Sequence, residues 1–247
     1  MLSEMKNFKL LLSILTISYA QIIVADTLIP SPLLPTSCNG IKELPQKQIG
    51  YYYQHDFEKF KEFNLKITEE NNNIGGGVFN FLSGKKVVYR SSILNENPKC
   101  LEELTKEKGV ETVIYLYFGN YIDEKEIPYQ EEIMFKKFGG KFYINTLNFD
   151  DFMTQEPKDS SSRNKLMASI IKYIEASPGN VLIHCLGGMH RTGLIYGILQ
   201  KCVQKTPMNE IIKTYNKHVG YKNADNPGTY SKYDIQSIED YPCDDLN

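Results

Sequence analysis

Cys185 and Arg191 stand six residues apart in the segment VLIHCLGGMHRTG, residues 181–193. The short, largely apolar run Val181–His184 reads as a strand, Cys185 opens a loop containing Gly187 and Gly188, and Arg191 begins a helix. A strand, tight loop and helix in this order make an anion cradle. Backbone N–H groups of residues 186–191 can face a bound oxyanion, the two glycines allow the dihedrals this requires, and the helix N-terminus adds positive potential. The planar guanidinium of Arg191 offers two parallel donors to two phosphoryl oxygens. The same donors would favour the thiolate of Cys185, which makes it a nucleophile, and Thr192 can donate its hydroxyl to it. Leu186, Gly187, Gly188, Met189 and His190 complete the loop that would hold the anion, and His184 immediately precedes the nucleophile.

These residues need a scaffold, and the rest of the chain alternates strand-like and helix-like segments. Residues 86–89, 111–117, 141–147 and 181–184 read as strands. Helical patterns cover 98–108, closed by Gly109, then 131–138, 161–176 and the run from Arg191 to about Val203. Thr206 is a good N-cap with Pro207 at the first helical position of another helix, and a last one starts near Thr229. Strands alternating with helices imply an α/β fold with a mostly parallel central sheet flanked by helices. Phe57, Phe60 and Phe63 mark a short helix within 56–65, and Asn71–Gly77 (NNNIGGG) reads as a loop. That glycine run lacks the Lys-Ser/Thr or the full G-x-G-x-x-G of nucleotide-binding loops.

The chain has 247 residues, 41% hydrophobic and 23% charged, which suits one large globular domain. Lys plus Arg (28) nearly balances Asp plus Glu (30), so no whole-chain field draws it to nucleic acid. Lys6 and Lys9 precede the apolar run Leu10–Ala20, with small residues placed for cleavage after Ala20 or Ala25, which reads as a secretory signal peptide. The expected organisation is a signal peptide at 1–25, a Pro- and Ser-rich extended lead-in with N-terminal elements at 26–75, a catalytic domain at 76–241 and a tail at 242–247. The chain would then be exported, periplasmic or secreted, with no membrane span left after cleavage. The alternative is an uncleaved N-terminal anchor, although the run from Leu10 to Ala25 is shorter than the roughly 20 apolar residues a spanning helix needs.

Export changes the reading of the five cysteines at 38, 100, 185, 202 and 243, since oxidising compartments allow disulfides. Cys185 has a chemical reason to stay free. The other four allow three pairings, and the sequence leaves both the pairing and four free thiols open. With four histidines and none spaced with cysteine as a ligand cluster, neither a metal nor a cofactor is expected.

The pattern H-C-x-x-G-x-x-R-T-G after an apolar strand resembles the signature of the cysteine-dependent protein tyrosine and dual-specificity phosphatases. The His190-Arg191-Thr192-Gly193 run looks most like the atypical dual-specificity members of plants, fungi and bacteria, with looser likeness over about residues 75–220, including YRSS at 89–92 and GVETVIYL. The resemblance implies a phosphocysteine intermediate on Cys185, an orienting role for His184 and a general acid some thirty residues upstream. Asp150 and Asp151 in LNFDDFMTQEP occupy that place, and Asp151, which precedes Phe152 as the family's acid precedes its Phe, is the preferred one. The family's Trp-Pro-Asp form is absent. Arg90 and Ser91 would brace the site or, preferentially, form a structural salt bridge. The resemblance implies a phosphorylated protein or small phosphomonoester as substrate. Some family members act on inositol phosphates or phosphoinositides, but their loops usually carry Lys and this one carries none, which favours phosphoprotein. A catalytically inactive phosphate-binding module is the remaining alternative.

Overall fold

The computed structural model describes residues 34–40, 71–116, 127–144, 160–219 and 229–246, with isolated positions between 51 and 70. A hairpin of β1 (Gly75–Phe81) and β2 (Gly84–Ser91) opens the domain. It is followed by α1 (Pro98–Lys106), β3 (Val110–Tyr115), α2 (Ile127–Lys137), β4 (Lys141–Ile144), α3 (Ser160–Ala176), β5 (Asn180–His184), α4 (His190–Cys202), α5 (Met208–Val219) and α6 (Thr229–Asp240). A 3₁₀ turn at Cys243–Leu246 ends the described chain. The sheet runs β1-β2-β5-β3-β4. Its β2–β5, β5–β3 and β3–β4 pairings are parallel and β1–β2 is antiparallel, so the sheet is mostly parallel, as expected, and mixed through its one antiparallel edge.

The strand β5 lies in the middle because its sequence tolerates no solvent on either side. Side chains alternate across a strand, so Leu182 packs with Leu101, Leu104, Val113 and Phe135 on the α1/α2 face. Val181 and Ile183 pack with Ile170, Ile174, Ile195 and Leu199 on the face covered by α3 and α4. A parallel strand covered on both faces reads as a continuous apolar run, as this one does. The carboxyl end of such a strand is where open α/β sheets place their ligands, and Cys185 follows it directly.

Two expectations change. The glycines at 75–77 are strand: Gly75, Gly76 and Gly77 pair with Arg90, Tyr89 and Val88. A Cβ on Gly75 would stand 2.7 Å from Cε1 of His218, so close approach of α5 to the sheet, and not a turn, accounts for glycine there. Helix α5 begins at Met208, one residue past Pro207, whose carbonyl accepts from Ile211 N–H at 3.1 Å. The phenylalanines of 56–65 lie outside the described residues, although Glu58, Lys59 and Glu62 among them are helical.

Two disulfides hold the ends of the described chain: Cys38 to Cys100 on α1, and Cys202 at the end of α4 to Cys243. Cys185 is the free cysteine. Beside the first disulfide, Glu103 of α1 accepts from Thr36 N–H at 2.9 Å, Ser37 N–H at 2.8 Å and the Ser37 hydroxyl at 2.6 Å, with Lys108 Nζ 3.7 Å away. Burial by itself would raise the Glu103 carboxyl, but the hydrogen bonds from Ser37 and Thr36 and the charge of Lys108 hold it at about 2. A carboxyl depressed in the folded state stabilises the fold above its unfolded value and loses that contribution as pH falls toward 2. Glu103→Gln should therefore lower stability at pH 7 by about 1–2 kcal/mol after allowance for solvent screening, and should flatten the loss of stability between pH 4.5 and 2. Urea unfolding across that range checks it; an unchanged acid limb would refute it.

Candidate active site

The loop from His184 to Arg191 has its carbonyls bound to the scaffold. His184 C=O accepts from Leu116 N–H at 2.7 Å, and Leu186 C=O from Ile93 N–H at 2.9 Å. Gly187 C=O accepts from Asn73 Nδ2 at 3.0 Å, Gly188 C=O from Arg90 Nη2 at 2.7 Å, and Met189 C=O from Gly193 N–H at 2.8 Å. The Cys185 carbonyl lies 3.4 Å from His184 Nδ1. In a trans peptide the C=O and N–H point opposite ways, and no peptide here is cis. Turning the carbonyls of 185–189 into the scaffold therefore turns the amides of 186–190 away from it, onto one concave side. Arg191, the second residue of α4 and 7% exposed, stands at the same place with the helix N-terminus.

Gly188 makes this path possible. Its φ is +65°, and a Cβ there would fall 2.3 Å from the carbonyl oxygen of Ser91. Both the dihedral and the backbone contact exclude a side chain. Gly193 serves a different purpose, since a Cβ would meet Cε2 of Tyr215 at 2.7 Å and hold α5 away from α4.

Arg90 lies fully buried beneath the loop. Its guanidinium sits 5.2 Å from the ring centroid of Tyr196, and its side chain donates to the loop carbonyls where the sequence favoured a salt bridge. Burial draws its pKa down to about 10, against the pull of Tyr196, Cys185 and Tyr215, so it stays cationic with its charge felt at Cys185. Asn73 has a φ of +49°, which asparagine tolerates, and its amide donates also to His218 C=O at 2.9 Å. Its Oδ1 lies 2.9 Å from His218 Nδ1, which must then carry the proton. Burial, and after it the charges of Arg90 and Lys217, keep His218 well below the usual histidine range and hence neutral.

Around the nucleophile, Cys185 is 6% exposed and Thr192 fully buried, with its hydroxyl unmatched by any acceptor among the described residues. His184 is fully buried, and its Nε2 stands 3.1 Å from Oε2 of Glu131 without the alignment of a hydrogen bond. The other oxygen of Glu131 accepts from Leu94 N–H at 3.2 Å. His190 Nδ1 lies 2.9 Å from Tyr215 Oη and 3.0 Å from Asp234 Oδ2. The structure thus gathers Cys185, Leu186, Gly187, Gly188, Met189, His190, Arg191, Thr192 and His184 in one place. Asp150 and Asp151 lie outside the described residues. Sequence reasoning missed Asn73, Glu131, Tyr215 and Asp234. Each reaches the loop from a distant element, and none carries a spacing that could have marked it.

No family model matches the chain. Among curated proteins it is 25% identical over 159 residues to inositol diphosphatase DSP3 of Arabidopsis thaliana, covering 64% of this chain and 71% of that one. Inositol diphosphatase DSP5 of the same plant is 27% identical over 86 residues, 35% of this chain and 38% of the relative. Among solved structures, the core catalytic domain of the PP-IP phosphatase SIW14 of S. cerevisiae, in complex with citrate, is similar with a TM-score of 0.47 and 23% identity, over 64% of this chain and 83% of that one. The cradle around Cys185 and Arg191 and the likeness to these curated relatives are consistent with a cysteine-dependent phosphatase of the protein tyrosine and dual-specificity superfamily.

Proposed function

We propose that the chain hydrolyses phosphomonoesters of proteins through a phosphocysteine at Cys185. The observation that carries this reading is the outward anchoring of the loop carbonyls, which leaves five successive amides and Arg191 to receive a phosphoryl group. The Cys185 thiolate attacks phosphorus in line with the leaving oxygen, the P–S bond forms, and the P–O bond breaks. Asp151, or Asp150, gives its proton to the departing oxygen. The carboxylate then takes a proton from water, whose oxygen attacks phosphorus; the P–S bond breaks, releasing phosphate and restoring the thiolate. The amides and the Arg191 fork stabilise the equatorial oxygens in both steps. Thr192 donates to the thiolate when the phosphoryl group has left, and His184 orients the first peptide of the loop.

Leu186, Gly187, Gly188 and Met189 give the cradle an uncharged wall, which suits a single phosphoryl group on an apolar ring such as phosphotyrosine. A second reading, an inositol phosphate or diphosphate, is favoured by the names of the curated relatives. Export is part of the proposal, and the two disulfides support it, since such bonds persist in oxidising compartments. The test is an assay of the purified chain against phosphotyrosine peptides, phosphoserine peptides and inositol phosphates and diphosphates. The greatest kcat/KM on phosphotyrosine peptides is expected, and preference for an inositol diphosphate would replace the first reading with the second. Sequencing the N-terminus of the protein recovered from its host should find Gln21 or Asp26 first; an intact Met1 would leave the anchored form.

A further inference from the structure

Asn71, Asn72 and Asn73 are three successive asparagines, all buried, and the site described above draws only on the last. A buried amide is costly unless its polar atoms are paired. The oxygen of Asn72 finds its partners in two places: Oδ1 accepts from Asn39 N–H and from Asn97 Nδ2, both at 2.7 Å. Asn97 is the N-cap of α1, where its Oδ1 accepts from Cys100 N–H at 3.2 Å, and its Nδ2 donates also to Ser37 C=O at 3.0 Å. Ser37 and Asn39 flank Cys38, whose disulfide to Cys100 fastens residues 34–40 to α1 as a strap.

From the same asparagines two lines run to the catalytic loop. Asn72 C=O accepts from Ser92 N–H at 2.7 Å, and the next amide, Ile93 N–H, is the donor that holds Leu186 C=O. Ser92 Oγ donates to Asn71 C=O at 2.9 Å. Asn71 Oδ1 accepts from the N–H of Asn73 at 3.1 Å, and the Asn73 side chain holds Gly187 C=O. Two of the anchored loop carbonyls therefore depend on where residues 71–73 sit. Asn39 and Asn72 are 33 residues apart in sequence, so chain connectivity does not keep the strap on Asn72. Glu103 holds Thr36 and Ser37 as well, so loss of the disulfide loosens the strap without releasing it, and its effect is graded.

We propose that Asn72 is a positioning residue for the catalytic loop and that the Cys38–Cys100 disulfide acts through it: by holding the strap against Asn72, the bond keeps the Leu186 and Gly187 carbonyls turned into the scaffold, and turnover is full only while it is closed. The loop amides must meet the transition state within a few tenths of an ångström, and small displacements from remote changes lower the rate of the chemical step. The proposal rests on residues 185–191 being the catalytic loop.

The other disulfide supplies the comparison, because Cys202 closes the 13-residue α4 at the end opposite the loop. Steady-state kinetics with an aryl phosphate, at a temperature where circular dichroism finds each variant folded, should show kcat lowered about tenfold by Cys38→Ala with Cys100→Ala and about equally by Asn72→Ala, with KM changed less. Because both changes cut one line, their losses should not multiply when combined. Cys202→Ala with Cys243→Ala should keep kcat within about twofold. Wild-type kcat in Asn72→Ala or in the Cys38/Cys100 variant would overturn the proposal, and either result decides it if the other protein does not fold. Losses that multiply, or an equal loss in the Cys202/Cys243 variant, would also overturn it, since general loosening of the fold would then account for the effect. Absence of turnover by the wild type would remove the catalytic reading and this proposal together.

Discussion

Cys185→Ser should bind inorganic phosphate while its turnover of phosphomonoesters falls by at least about 10⁴-fold. The serine hydroxyl fits the space of the thiol, and the loop keeps its shape because its carbonyls are anchored by hydrogen bonds from Leu116, Ile93, Asn73 and Arg90, none of which is made to the sulfur. What is lost is the nucleophile, since a serine hydroxyl is not ionised near neutral pH. Arg191→Lys should fail nearly as completely even though it keeps a positive charge. An ammonium is a point donor and cannot bridge two equatorial oxygens in one plane. Steady-state kinetics with an aryl phosphate, beside phosphate binding by each variant, separates these effects. Turnover by Cys185→Ser at the wild-type rate would end the phosphocysteine mechanism, and a fully active Arg191→Lys would remove the bidentate argument.

The second large effect is expected at the acid. Asp150→Asn and Asp151→Asn should differ, with one of them, by our reading Asp151, lowering kcat by about 10²- to 10⁴-fold on alkyl phosphates. The same variant should change little on an activated aryl phosphate whose leaving group needs no proton. It should also flatten the basic limb of the pH profile, because that limb reports loss of the acid's proton. A comparable kcat for both variants and wild type on alkyl phosphates would place the proton donor elsewhere in the chain.

The parts of the site legible in the sequence were those written contiguously. Cys185 to Thr192 lie on one strand–loop–helix unit, so residue spacing alone brings them together, and the apolar runs around them announce an α/β sheet. The residues that hold the loop in place were a different matter. Asn73 reads as one of three asparagines before a glycine run, a turn signal, yet it is buried and bonds Gly187 across the fold. That same run concealed β1, because glycine at 75 answers to the ring of His218, more than a hundred residues away in sequence. Arg90 was visible as a candidate brace, but whether its partner was a carboxylate or a carbonyl depends on how β2 sits beside β5. Glu131 and Asp234 lie on helices that carry other acids, Glu132 beside the one and Glu239 and Asp240 after the other, and only tertiary packing singles them out for burial.

The cysteine pairing carries a consequence for damage and repair. A sulfenic acid on a reactive cysteine is halted at a reversible stage when a neighbouring thiol captures it as a disulfide. This chain has five cysteines, and four are already joined as Cys38–Cys100 and Cys202–Cys243. An oxidised Cys185 has no resolving thiol within its own molecule, so rescue depends on a small thiol or a reductase from outside, in competition with further oxidation to the irreversible sulfinic acid. The bonds that secure the two ends of the fold thereby make the lifetime of the enzyme's nucleophile a property of its surroundings.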